Sequence, residues 1–152
     1  MDSNAYSERF DRLFDILRAD PRLAENVTGG VTVKKGYPTL IPEPGCAVFV
    51  DFGGVASVEN DTMHGLTGSS AMVTLHFRIW FQTQQPEAAD TQYQVMHLAA
   101  NTYRVLADHS HDALWNRARF GRGEVGVDGT GPMGFFSISQ WNFMVAYKEV
   151  TP

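Results

Sequence analysis

Two histidines a single residue apart, His109 and His111 in "DHSHD" (Asp108–Asp112), are the first place to look for chemistry. On a strand they would share a face, and imidazoles so placed can hold zinc if a third ligand and a supporting shell exist. His64, His76 and His97 are all distant in sequence. The pair is better accounted for as the cationic end of a helix followed by a polar turn. "GTGPMG", Gly129–Gly134, has the G-x-G-x-x-G spacing. That spacing binds a dinucleotide only between a strand and a helix. Here a strand-like run follows, so a hairpin turn is expected. No phosphate loop and no G-x-S-x-G elbow is present. Asp51 in "VFVDFGG" is a possible strand-end acid, but a solvent-facing or arginine-paired aspartate explains it better.

Arg117, Arg119 and Arg122, with Trp115 and Phe120, form a basic–aromatic cluster. Such a cluster can meet nucleic acid by charge and stacking. It can equally anchor a protein interface, where Arg and Trp are enriched. The net charge of −5 favours the protein interface, because phosphate binding needs a basic surface. Cys46 is the single cysteine, so no internal disulfide and no Cys-based zinc site is expected. It sits in an apolar run and reads as an inert core thiol. No set of catalytic, cofactor-binding or metal-binding residues emerges.

These residues need elements to position them. With 152 residues, 43% apolar and 19% charged, the chain suits one domain with a core, 1–152. No run approaches the ~18 apolar residues of a membrane span. The start, Met1-Asp2-Ser3-Asn4, has no basic region and no apolar stretch, so no signal peptide is expected.

Tyr6, Phe10, Leu13, Phe14 and Leu17 form one helical stripe, predicting a helix over Asn4–Ala19. Ser3 can cap it and Pro21 can stop it. Glu8 and Arg12 are spaced for an i,i+4 pair on a solvated face. A short edge strand, Val31–Lys35, follows, with Lys34 and Lys35 guarding the edge. Pro38, Pro42 and Pro44 make an extended connector.

Cys46–Phe52 reads as a strand by β-branched and aromatic content. Gly53–Ser70 reads as the tip of a long hairpin, mobile in isolation. Ala71–Gln84 alternates strictly: Val73, Leu75, Phe77, Ile79 and Phe81 on one face, Thr74, His76, Arg78, Trp80 and Gln82 on the other. Pro86 opens a second helix whose polar line is Gln94, His97, Asn101, Arg104 and Asp108. Nearly everything else on it is apolar or small, more than an ordinary surface helix buries. It is expected to pack on the sheet on one side and on the first helix, or another subunit, on the other. A loop carrying Trp115, Arg117, Arg119 and Arg122 follows, then strand, glycine-rich turn and long strand to the end. The fold class is α+β: a mixed or antiparallel sheet with long strands, covered on one face by both helices.

This order resembles the tail terminator and tail-completion proteins of long-tailed bacteriophages. "YSERFDRLFDILRADPRLAENV" looks like the group's first helix. "TLHFRIWFQTQQPEAADTQYQVMHLAANTYRVLAD" looks like its central strand-then-helix unit, and "FFSISQWNFMVAYKEV" like its closing strand. The resemblance covers most of the chain and rests on element order, since the group has no diagnostic motif. It implies a non-enzymatic virion subunit, made in the host cytoplasm, that forms a hexameric ring. Its partners would be its own copies, the tail tube protein and the head–tail connector or stopper. DNA would pass through the lumen without specific binding, which an acidic chain suits. Arg78, Trp80, Met63, His64, Trp115, Arg117, Arg119 and Arg122 are then the expected contacts with neighbours. Two other readings compete: another head–tail joining or minor tail protein, and a cone-shaped, nuclear-transport-factor-like domain. The latter would place His76, Arg78, Trp80, Asp51 and Trp141 around a pocket.

Overall fold

The computed structural model describes residues 4–39, 45–61, 69–121, 127–131 and 134–151. It contains α1 (Ala5–Ala19), a 3₁₀ turn (Pro21–Ala24), β1 (Val31–Lys35), β2 (Gly45–Asp61), β3 (Ser69–Gln85), α2 (Ala88–Ala107), β4 (Arg117–Gly121), β5 (Val127–Gly131) and β6 (Gly134–Thr151). The α+β reading stands, and the sheet is mixed. Its strands run β1-β2-β3-β6-β4, with β5 also paired to β6. β1 and β2 are parallel, with Val31 opposite Cys46. The proline-containing connector therefore returns the chain to the same end of the sheet, a task usually given to a helix.

Apolar alternation builds the core. Val73, Leu75, Phe77, Ile79 and Phe81 of β3 are fully buried beside Val48 and Val50 of β2 and Phe143 and Val145 of β6. Leu13, Ile16 and Leu17 of α1 and Leu98, Val105 and Leu106 of α2 close over that face. Phe10 stacks on Phe77 at 5.9 Å between ring centres. A buried side chain of this size contributes about 1.5–3 kcal/mol. α1 starts where expected, but Asn4 occupies the cap position and makes no side-chain cap bond. Ser3 lies outside the described residues. Pro21 opens the 3₁₀ turn, whose first N–H, on Arg22, is accepted by the Asp20 side chain at 2.9 Å.

The expected Glu8–Arg12 pair is not formed. Arg12 instead reaches across to Asp112 in the segment after α2, donating three hydrogen bonds of 2.8–3.3 Å. A buried carboxylate outcompetes an exposed one for the guanidinium, because less water screens it. The polar line of α2 likewise has structural work. Gln94 accepts from the Thr28 N–H at 2.8 Å. Asn101 donates to the carbonyls of Leu23 and Glu25 at 3.0 and 2.6 Å. Arg104 pairs with Glu25, and Asp108 with Arg22. These bonds satisfy the backbone of the 20–28 segment, which has no ladder of its own. His97 is exposed.

Two boundaries differ from expectation. β2 does not end at Phe52: it stays paired with β3 until Asp61 faces Ser70. The small residues are absorbed as register shifts at Phe52/Gly54 and Val55/Ser57, with Gly54 at φ +118°. Of the expected 53–70 loop, 53–61 and 69–70 are strand, and 62–68 lie outside the described residues. The supposed loop around Arg117 and Arg119 is β4, antiparallel to β6. Ala118 and Phe120 pack inward against the core, which turns the arginines to the other face. β4 and β5 run end to end along the same edge of β6. The G-x-G-x-x-G spacing falls in the β5–β6 hairpin, where Gly131 faces Gly134.

Candidate assembly surfaces

The face of the sheet away from the helices is a polar ladder. Reading across in register, Asp51 meets Arg78 and Asn142; Phe49 meets Trp80 and Gln140; His76 meets Met144 and Arg119; Thr74 meets Ala146 and Arg117. The structure thus brings Arg78, Trp80, Arg117 and Arg119 onto one face. Arg78 and Asp51 form an ion pair at 2.5 Å. The Asn142 Oδ1 atom lies 2.8 Å from His76 Nε2 and accepts from Gln140 Nε2 at 2.9 Å. Tyr37 packs edge-on to Trp80 at 5.4 Å. A Cβ on Gly53 would stand 2.7 Å from His76 Nδ1, so this glycine makes room for the imidazole.

The face holds Arg78, Arg117, Arg119 and Lys148 against Asp51 and Glu59, a local cationic excess on an acidic chain. Two sets of contacts link its polar groups, Asp51 with Arg78 and His76 with Asn142 and Gln140, while the buried Trp80 Nε1 has no hydrogen-bond partner among the described residues. Trp141, expected beside them, lies on the opposite face against Phe81 and Phe120. Deeper along the ladder, Gln82 is fully buried, and neither end of its amide has a hydrogen-bond partner among the described residues.

Trp115 is a correction to the sequence reading. It is 1% exposed, donates from Nε1 to the His109 carbonyl at 2.7 Å and meets Phe143 edge-on. It belongs to the core of this chain and has no surface to give a neighbour. Met63, His64 and Arg122 lie outside the described residues. The histidines of "DHSHD" are engaged separately. His111 Nδ1 contacts the Asn116 carbonyl at 2.5 Å, and His109 lies 3.6 Å from Asp112, whose carboxylate is already held by Arg12. Among the described residues, no group of three or more His, Cys, Asp or Glu is placed to hold a metal.

The Arg12 guanidinium holds the Asp112 carboxyl below the usual carboxylate range, and Arg22 does the same to Asp20. Burial pushes the Cys46 thiol up to about 11, in keeping with an inert core thiol.

Two apolar surfaces were not singled out by residue type. On α2, Tyr93, Met96 and Tyr103 are 60%, 59% and 50% exposed, with exposed Ala100 and Ala107 continuing the line. Of the two partners expected for this side of the helix, the first helix or another subunit, the first does not cover these residues. Beside this stripe, a groove of about 440 Å³ has Tyr103, Leu106, Ala107, Arg119, Phe120 and Phe143 among its lining residues. On the far half of β2, Phe52, Val55 and Val58 are 39–43% exposed. Among the described residues, no helix is long and apolar enough to cross a membrane.

No family model and no curated protein matches the chain. Among solved structures, a chain from the virion of a native gene transfer agent (GTA) particle shares the fold with a TM-score of 0.54. The match covers 90% of this chain and 92% of that one at 17% identity, a likeness of fold that extends over nearly the whole of both chains.

Proposed function

We propose that this chain is a structural, non-enzymatic subunit of a phage-type virion and, more specifically, a tail terminator. In this reading six or so copies form a ring that caps the tail tube and joins it to the head connector. The observation that carries the reading is the near end-to-end fold likeness to a chain of a virion particle. Two further features support it. On the outer sheet face, Asp51 and Arg78 pair with each other, and His76, Asn142 and Gln140 are joined in a second set of contacts. The apolar residues of α2 and β2 are exposed in one copy, as an assembling subunit requires.

DNA threads the ring without specific contacts. The acidic chain as a whole repels phosphate, and the cationic sheet face is assigned to protein partners. Native mass across a concentration series, alone and with tail tube protein, followed by negative-stain imaging, tests the proposal. A ring of about six subunits with a central hole, binding the tube end, is expected. A monomer at every concentration that ignores the tube protein overturns it. A ring that binds head connector but not tube would mark a different head–tail joining protein.

A further inference from the structure

The two exposed apolar surfaces lie at opposite ends of the strand order. The C-terminal part of the α2 stripe lies beside β6 and β4, since Tyr103 contacts Phe120 at 5.1 Å and Trp141 at 5.9 Å. Phe52, Val55 and Val58 lie on β2, on the other side of β3. β1 pairs with β2 only as far as Val50. Beyond it, no strand pairs with the outer edge of β2 among the described residues. Val55 and Val58 stand in register with Leu75 and Val73, which are fully buried, so the valines border the core without being covered. A continuous ladder holds the two surfaces apart, and one chain cannot close one on the other.

We infer that the far half of β2 in one copy docks against the α2 face of the next copy, with Phe52, Val55 and Val58 meeting Tyr93, Met96 and the groove beside Tyr103. Two different, mutually complementary patches at opposite ends of a subunit make a head-to-tail contact, and such contacts close into rings when the rotation allows. Charge agrees with the pairing. Among the described side chains, β2 from Phe52 onward carries Glu59 and no lysine or arginine, whereas β4 carries Arg117 and Arg119 and no acid, and Arg119 lines the groove. The acidic arm of one copy thus approaches the arginine-rich strand bordering the groove of its neighbour, which steers and registers the contact. The alternative of joining sheet edges, β1 to β4, sets Lys34 against Arg117 and Arg119 and is disfavoured by like charge, Lys35 being already paired with Asp11. This inference rests on the ring reading above.

The test is a disulfide pair, Val55→Cys with Met96→Cys, in the full chain. The native Cys46 is buried and stays a bystander. The protein is oxidised alone and with tail tube protein, under conditions where native mass shows the oligomer, and run on a non-reducing gel. The double variant is expected to give a ladder of covalent oligomers, and neither single variant any cross-link. Met96→Glu, at an exposed helix position that leaves the fold intact by circular dichroism, is expected to raise the concentration for half-assembly by about tenfold or more. If the ring forms yet the double variant stays uncross-linked and Met96→Glu assembles normally, the contact is wrong and the ring reading survives. A dimer from Val55→Cys alone indicates an arm-to-arm contact and also overturns it. Loss of tube binding by Met96→Glu with an intact ring gives the α2 face to the tube instead. Absence of any oligomer in either setting sinks both readings.

Discussion

Replacing Arg12 with alanine removes a side chain that ties α1 to the segment after α2 through a buried carboxylate. The Asp112 side chain is 5% exposed and that of Arg12 is 40% exposed. Deleting one partner of a fully buried pair costs ~3–5 kcal/mol, because the remaining charge is stranded. Here water reaches the site from the Arg12 side, and Asp112 keeps the Leu114 N–H at 3.2 Å. The expected loss is therefore lower, about 2 kcal/mol, or about 4–8 °C in melting temperature for a domain of this size.

The effect has a pH signature. Asp112 is held below its ordinary range by the hydrogen bonds from Arg12, so its folded value lies below its unfolded one. Stability from such a group is fully present above the unfolded carboxylate value, near 4, and is lost as pH falls through the folded value. The gap between wild type and Arg12→Ala should thus be full at pH 7 and shrink below about pH 4. Urea unfolding of both proteins at pH 7 and at pH 3, at concentrations where both are monomeric, measures it. A variant within ~0.5 kcal/mol of wild type at pH 7, or a gap that does not change with pH, would refute the reasoning.

Asn101→Asp turns a donor facing two carbonyls into an acceptor; it should cost about 3 kcal/mol and speed hydrogen exchange across residues 20–28, and an unchanged exchange pattern there would contradict the bonding described. Gly53→Ala pushes a methyl group into the His76 ring and should cost about 1–2 kcal/mol. Adding His76→Ala should make the pair cost less than the sum of the single changes, and simple additivity would count against the contact. Gln82→Leu replaces a buried amide that bonds to no described residue and should raise stability by about 1 kcal/mol, read as a higher melting temperature; a lower one would mean the amide has a partner, such as an ordered water.

The elements easiest to read from sequence were those whose burial is one-sided and long. The alternation of β3 and the stripe of α1 leave a single arrangement that hides Phe77, Leu13 and Leu17. β4 was missed because five residues carrying two arginines hold too short an alternation to register, and only the lengthy β6 beside them makes a strand. The far half of β2 was missed because Gly53, Gly54 and Ser57 argue locally for a turn, whereas the ladder accommodates them as bulges. Arg12 illustrates a different limit: helical spacing offered Glu8, but a residue a hundred positions away offered a buried carboxylate. The cluster of Trp115 with the arginines read as one surface, yet the indole lies in the core while Arg117 and Arg119 turn outward with Arg78 and Trp80. Exposure of Tyr93 and Met96 was not legible, because apolar residues that await a partner have the same composition as those already buried.

β6 runs the full length of β3 on one side and holds both β4 and β5 on the other. Its register places Ser69 opposite Thr151 and Gln85 opposite Phe135, with α2 and both short strands between them in sequence. The middle of the sheet therefore cannot zip up from local contacts. During synthesis β2 and β3 must wait, with one long side of β3 bare, until β6 emerges. Folding dominated by such distant pairings is slow, on a scale of milliseconds to seconds, and leaves unpaired strand exposed to other chains meanwhile. Production of active protein should be limited by this waiting period more than by final stability, and cooler, slower expression should raise the soluble fraction.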